Sequence, residues 1–227
     1  METFVSAMAT GKPYRGMAME GMIASWYARS TGKNLAEFRA LGKRLAAELT
    51  PGAAVLEVAP GPGYLAVEIA QLGRYAVTGL DISHAFTRIA SDNAERAGVA
   101  IDFRQGDAAR MPFAAESFDF IVCRAAFKNF TDPAGALGEM HRVLRPGGAA
   151  LIVDLRKDAT RAAIADEVGE MQLSPFGAFV TRIILGHLRK RAYRREDFER
   201  MAAASPFGRC EILAQPLGFE VRLAKRG

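Results

Sequence analysis

The chain has 227 residues, and its 30 lysines and arginines exceed its 25 aspartates and glutamates by five charges at neutral pH. Half of the residues are apolar and 24% are charged, a globular composition that excludes disorder, collagen and coiled coil as the dominant architecture. No run approaches the roughly 20 apolar residues of a membrane-spanning helix and Met1-Glu2-Thr3 does not open a signal peptide, so a cytoplasmic protein without a membrane span is expected.

In chain order, the segment up to about Ser30 is rich in Met, Gly and Ala, carries Tyr14, Trp26 and Tyr27, and predicts a loosely helical lead-in. Asn34 followed three places later by Glu37 has the form of a helix start, and Leu35, Phe38, Leu41, Leu45 and Leu49 then share one face. Thr50-Pro51-Gly52 ends that helix. Short apolar runs then alternate with amphipathic stretches. Strands are expected at Ala53 to Ala59, Tyr75 to Leu80, Ile101 to Gln105, Phe118 to Cys123 and Ala149 to Asp154, with helices at Tyr64 to Leu72, His84 to Ala97 and Pro133 to Leu144. Asp132-Pro133 is a helix start by its own chemistry, a carboxylate beside orphan amides followed by the residue that suits the first turn. Nearly continuous apolar strands alternating with helices argue for a parallel sheet covered on both faces.

From Arg156 to about Ser205 the pattern is helical, including Ile164 to Leu173 and Phe176 to Leu188, and Cys210 to Ala214 and Glu220 to Leu223 read as closing strands. No linker or repeat separates these parts, so one domain spans 1–227. Its parts are a helical lid (1–50), a core (51–155), a helical insertion (156–205) and terminal strands (206–227). Cys123 and Cys210 stand alone and His84, His141 and His187 are scattered, so neither a disulfide framework nor a metal site is expected. Cys123 continues a buried strand and His141 reads as structural. The five excess charges are too dilute to mark a nucleic-acid binder, and the basic run His187 to Arg195 reads as a charged surface.

The segment Val55 to Ala66 is a strand that runs into a glycine turn and opens a helix, with Gly61 and Gly63 where a ligand must approach the backbone. Asp81 ends the next strand, placed to accept from ribose hydroxyls, and to this point a dinucleotide-dependent oxidoreductase fits equally well. The later motifs separate the readings: Gly106-Asp107-Ala108 at the end of the third strand, Met111-Pro112-Phe113, Glu116 to Val122, and Glu139 to Gly148. Taken singly, Glu57 reads as a helix-capping or paired carboxylate and Asp107 as a turn residue. In this order the series resembles the class I S-adenosylmethionine-dependent methyltransferases over roughly Ala53 to Leu155.

That resemblance implies a Rossmann-like α/β fold, a seven-stranded, mostly parallel sheet with helices on both faces and an antiparallel strand in its final hairpin. It implies S-adenosylmethionine as cofactor, with Ala59, Gly61 and Gly63 bordering its methionine part, Glu57 reaching its amine or carboxylate, Asp81 and Ile82 at the ribose, Asp107 and Ala108 at the adenine, and Arg124 nearby. Pro60 and Pro62 flank Gly61 and remove two amide donors, a departure from the family pattern that stiffens the loop and alters its contacts to the cofactor carboxylate.

After the fourth strand, Phe127-Lys128-Asn129-Phe130-Thr131-Asp132 is similar to the corresponding stretch of the ubiquinone and menaquinone C-methyltransferases, where Arg-Asn stands in place of Lys-Asn. Lys128 and Asn129 are the candidate catalytic pair: Lys128 orients an anionic or carbonyl acceptor or acts as a base with its pKa lowered by burial, unless it is a solvated loop lysine. Tyr14, Trp26, Tyr27, Phe127 and Met171 are the candidate acceptor contacts, and Leu173, Phe176 and Phe179 extend an apolar wall or cover the sheet. The expected activity is methyl transfer to a small-molecule acceptor by a monomer or homodimer. An NAD(P)-dependent oxidoreductase and a non-catalytic cofactor-binding or RNA-binding relative are the alternatives.

Overall fold

The computed structural model describes residues 20–32, 35–171 and 173–227. Tyr14 and Asn34 lie outside the described residues, as does the side chain of Trp26. In chain order the elements are α1 (Gly21–Thr31), α2 (Leu35–Glu48), β1 (Ala54–Val58), α3 (Tyr64–Ala70), β2 (Ala76–Asp81), α4 (His84–Arg96), β3 (Asp102–Gln105) and β4 (Phe118–Arg124). A 3-10 turn (Phe127–Asn129) leads to α5 (Pro133–Val143), β5 (Leu144–Leu155), α6 (Arg161–Glu170), α7 (Pro175–Arg189), α8 (Arg195–Ala204), β6 (Glu211–Ala214) and β7 (Gly218–Ala224).

The strands form one seven-stranded sheet in the order β3-β2-β1-β4-β5-β7-β6. β1 through β5 run parallel, and β7 pairs antiparallel with both β5 and β6. From β1 the chain winds outward to β2 and β3, then crosses back to lay β4 on the other side of β1. The carboxyl ends of β1 and β4 therefore splay their loops apart, which is where open α/β sheets bind ligands.

Alternation along the strands supplies the two cores. On β4, Phe120 and Val122 face Leu41, Leu45, Leu65 and Ile69 of α2 and α3, while Ile121 and Cys123 face Leu137 and Met140 of α5 and Phe198 of α8. Four helices open on a short polar side chain that accepts from an early amide: Ser83 from Phe86, Asp132 from Gly135, Thr160 from Ala163 and Ser174 from Gly177.

β5 begins five residues earlier than its apolar run suggests. Its register with β4 jumps from Phe118 opposite Leu144 to Phe120 opposite Ala149, so Arg145 to Gly148 bulge out. A side chain on Gly148 would meet the carbonyl oxygens of Asp119 and Arg145 at 2.9 Å, and Gly147 has φ +80°, so the Pro146-Gly147-Gly148 segment is what the bulge requires. Asp119 locks the same corner, accepting from Ala54 N at 2.7 Å and from the Arg145 guanidinium at 2.7 Å.

Candidate active site at the strand carboxyl ends

Acidic residues stand near the end of β1 (Glu57), at the end of β2 (Asp81) and two places beyond β3 (Asp107). Glu57, on β1, is buried; its carboxylate accepts from the amide of Ala66 in the first turn of α3, and its Oε2 has no partner. The α3 cap position is Gly63, which has no side chain to offer, so Glu57 does the capping from the neighbouring strand. Burial pushes the Glu57 carboxyl up to about 8, against the downward pull of the Ala66 amide and Arg124.

Asp81, the last residue of β2, ties the loop down: one carboxylate oxygen accepts from Gly61 N at 2.9 Å and the other from Ser83 N at 2.8 Å. Burial raises its pKa to about 6, opposed by these amides. Ile82 follows half-buried, its carbonyl taking a hydrogen bond from Gln105 at 3.2 Å.

The two prolines strip the loop of donors. With no amide at 60 or 62, Gly61 N is the single donor of Pro60 to Pro62, and Asp81 occupies it; Gly63 N is spent on Pro60 O at 3.0 Å. The loop therefore presents shape rather than amide donors. Gly61 (φ +55°) has open space where a Cβ would stand, with Phe86 no nearer than 4.0 Å, as close ligand approach requires. Gly63 (φ +77°) is glycine for a different reason, because a Cβ there would meet Ala90 and Phe103 at 2.8 and 2.9 Å. Ala59 adopts φ +56°, a left-handed residue at the end of β1, and Ala125 adopts φ +58° at the end of β4. Such conformations in non-glycine residues persist where surrounding structure holds them, and both flank the crevice.

On β3's loop, Asp107 accepts from Ala109 N at 2.9 Å, a turn bond, and stays partly exposed, with Ala108 packed against the core beside it. Behind this loop Glu139 and Arg142 on α5 act as a clamp: Glu139 accepts from Met111 N at 2.7 Å, while Arg142 donates to the carbonyls of Phe113 and Met111 at 2.9 and 3.1 Å. The sequence displays these residues in the Glu139 to Gly148 motif without showing that they hold the opposite loop.

Above the loops lies α1. Tyr64 donates to Ala28 O at 2.8 Å, Tyr27 packs edge-on against Phe86 with centroids 5.7 Å apart, and Glu20 accepts from Ala85 N at 3.1 Å. The Tyr27 phenol is raised in pKa by burial, with smaller influences from the charges of Arg124, Asp81 and Asp154. Arg124, half-buried at the end of β4, pairs with Glu37 at 2.8 Å and lies over the Phe38 ring at 4.5 Å.

Two expectations for the acceptor side require correction. Lys128 is neither a solvated loop lysine nor a free amine: its side chain is 3% exposed and pairs with Asp154 at 2.8 Å, and Asp154 also accepts from Lys128 N at 2.8 Å. The ammonium donates in addition to Ala125 O. Asp154 ends β5, too far along the chain for spacing to have suggested the pair. Phe127, expected at the acceptor, is fully buried in an aromatic cluster with Phe130, Tyr193 and Phe198. Asn129, between Phe127 and Phe130 in sequence, is buried and its Oδ1 has no partner. Met171 is half-buried at the end of α6, whereas Phe176 and Phe179 on α7 are 77% and 60% exposed and turn to solvent. His141 packs edge-on against Phe207 at 4.9 Å, a structural role, and Cys123 is core. No cluster of metal-ligating side chains occurs among the described residues.

Fold, glycine loop and ordered carboxylates define a nucleoside-binding α/β protein of the methyltransferase type. Residues 56–152 match the family model described as methyltransferase domain. The demethylmenaquinone methyltransferase of Chlorobaculum parvum is 39% identical over 100 residues, covering 44% of this chain and 40% of that protein. The ubiquinone/menaquinone biosynthesis C-methyltransferase of Bdellovibrio bacteriovorus is 34% identical over 167 residues, covering 68% and 64%. A crystal structure of a Methanococcus maripaludis protein described as an S-adenosylmethionine-dependent methyltransferase superposes with a TM-score of 0.70 at 22% identity, covering 93% of this chain and 98% of that one, a likeness of fold. Residues 56–152 therefore carry a methyltransferase domain, and the chain shares its fold with an S-adenosylmethionine-dependent methyltransferase. It spans less than two thirds of the length of these curated relatives, and the oxidoreductase and RNA-binding alternatives find no support among them.

The residues present fit that cofactor. Glu57 offers an unpartnered buried carboxylate oxygen to a cationic amine, Asp81 retains acceptor capacity for hydroxyls beside its two amide bonds, and Gly61 leaves room for close approach.

Proposed function

We propose that the protein transfers a methyl group from S-adenosylmethionine to a small-molecule acceptor in the cytoplasm. The observation that carries this reading is the buried, unpaired Oε2 of Glu57 beneath a glycine loop, with Asp81 ending the next strand and Asp107 two residues past the one after it. S-adenosylmethionine supplies an electrophilic methyl on a sulfonium, so the protein's share of the work is alignment and exclusion of water. Asp81 holds the ribose and Asp107 the adenine amino group. Glu57 ionises opposite the amine, and Arg124 takes the carboxylate that the proline-flanked loop has no amide to bind. Ile82 and Ala108 wall the nucleoside. Tyr27, on α1, closes the crevice and excludes water from the methyl's path.

Lys128 is assigned a positioning role: with Asp154 it fixes the 3-10 turn that carries Asn129, and Asn129 offers its unpartnered amide oxygen to the acceptor. The relatives named for menaquinone synthesis make a flat, hydroxylated aromatic ring the acceptor class to try first. Incubation with methyl-labelled S-adenosylmethionine and demethylmenaquinone, alongside simpler hydroxylated naphthalenes and benzenes, should move label into a small product. Cofactor binding without label transfer to any of them would contradict the catalytic reading.

A further inference from the structure

The helix α7 is a fifteen-residue helix with no fully buried residue. A helix of that length gains most of its stability in a protein from packing an apolar face, and α7 instead shows that face to solvent. Phe176, Phe179 and Ile183 recur at i, i+3 and i+7 and form one stripe, flanked by Leu173 and Ile184; all five are among the exposed large apolar residues. Single exposed apolar side chains need no explanation, but a continuous stripe on one helix marks an interaction surface.

Charge identifies what covers it. Between Glu170 and Glu196 the sequence contains no acidic residue, while Arg182, Lys190 and Arg191 lie on or just beyond α7 and take part in no ion pair among the described residues. The acids of the neighbouring α6, Asp166, Glu167 and Glu170, precede this stretch and leave α7 itself wholly cationic. An amphipathic helix with aromatic and branched apolar residues on one side and uncompensated cations at its flank and carboxyl end matches an interface between water and anionic headgroups. The cations pair with lipid phosphates while the phenylalanines enter the acyl boundary.

We infer that α7 docks the protein on an anionic bilayer surface, lying in the interface plane with Phe176, Phe179 and Ile183 inserted and Arg182, Lys190 and Arg191 on the headgroups. No helix among the described residues is long and apolar enough to cross a membrane, and this docking is peripheral. The inference stands on α7 and does not depend on the methyl-transfer reading.

Co-sedimentation of the full chain with vesicles tests it. Binding is expected to equimolar phosphatidylglycerol and phosphatidylcholine, and to fall steeply with phosphatidylcholine alone or with added salt. Phe176→Ser with Phe179→Ser should abolish sedimentation, and Arg182→Gln, Lys190→Gln and Arg191→Gln together should weaken it about a hundredfold. Phe176, Phe179, Arg182 and Lys190 are exposed and Arg191 is half-buried, so each variant should keep the parent's thermal transition, and two chemically different variant sets guard against a misfolded one. Absence of vesicle binding by the parent, or equal binding by the folded variants, would overturn the proposal. So would a parent dimer in sedimentation velocity that the phenylalanine variant dissociates without any vesicle binding, which would make a second copy the partner.

Discussion

Glu57 and Asp81 keep their protons in the folded, cofactor-free protein at pH values where the unfolded chain has lost them, because burial raises Glu57 from 4.5 to about 8 and Asp81 from 3.8 to about 6. The folded state then binds more protons at these two sites, so their contribution to stability is fully present below pH ~4, falls as pH rises, and is gone above ~8, a loss on the order of several kcal/mol. Glu57→Gln should flatten this decline and raise the melting temperature of the cofactor-free protein at pH 8, while weakening S-adenosylmethionine binding. A pH series of thermal melts for parent and variant reads both effects, and parallel curves would contradict the assignment. Lys128→Met leaves Asp154 buried without its cation and should cost about 3–5 kcal/mol. Adding Asp154→Asn removes the stranded charge and should recover much of that loss in denaturant titration; an additive second loss would show the pair is not coupled. The positions of Glu57 and Asp81 near the ends of buried strands were legible from the apolar runs, while their part in cofactor binding came from the family resemblance alone. The burial of Lys128 was not, since its partner lies on another strand and neighbouring residues give no sign of it.

The elements followed from period and caps wherever both were present. Asp132-Pro133 announced α5, and the same chemistry in Thr160 and Ser174-Pro175 would have set the starts of α6 and α7, which apolar periodicity alone places late. β5 exceeded its apolar run because Arg145 to Gly148 are held by a bulge and the Asp119–Arg145 pair, contacts between strands that no local pattern displays. Phe127 misled in the opposite direction: a loop aromatic beside the crevice turned into the core to join Tyr193 and Phe198. The turn from β1 into α3 has the tightest local constraint. Gly63→Ala would place a methyl against Ala90 and Phe103 at a positive φ, and should destabilise by about 1–3 kcal/mol. Because Gly63 opens the helix that Glu57 caps, S-adenosylmethionine affinity should fall as well. Gly73→Ala, also at positive φ but in open space, is the control, expected to lose stability from backbone strain without losing affinity.

In the whole molecule, the sheet order brings to its carboxyl edge residues that the sequence scatters: Glu57 from β1, Asp81 from β2, Asp107 beyond β3 and Arg124 from β4, with Tyr27 on the helix packed against α4. The ordered motifs singled out the first three, while the place of α1 was set by the Tyr64–Ala28 and Glu20–Ala85 hydrogen bonds between segments far apart in sequence. In the proposed site a cationic, hydroxyl-bearing nucleoside ligand meets Glu57 on β1, Asp81 at the end of β2 and Asp107 beyond β3. Isothermal titration with S-adenosylmethionine, S-adenosylhomocysteine and NADH, in parent and Asp81→Ala protein, tests this most directly. The first two ligands should bind and NADH should not, and the substitution should weaken both by about 1–3 kcal/mol, the loss of a buried charged acceptor. Binding of NADH alone, or affinity for S-adenosylmethionine untouched by Asp81→Ala, would contradict the account.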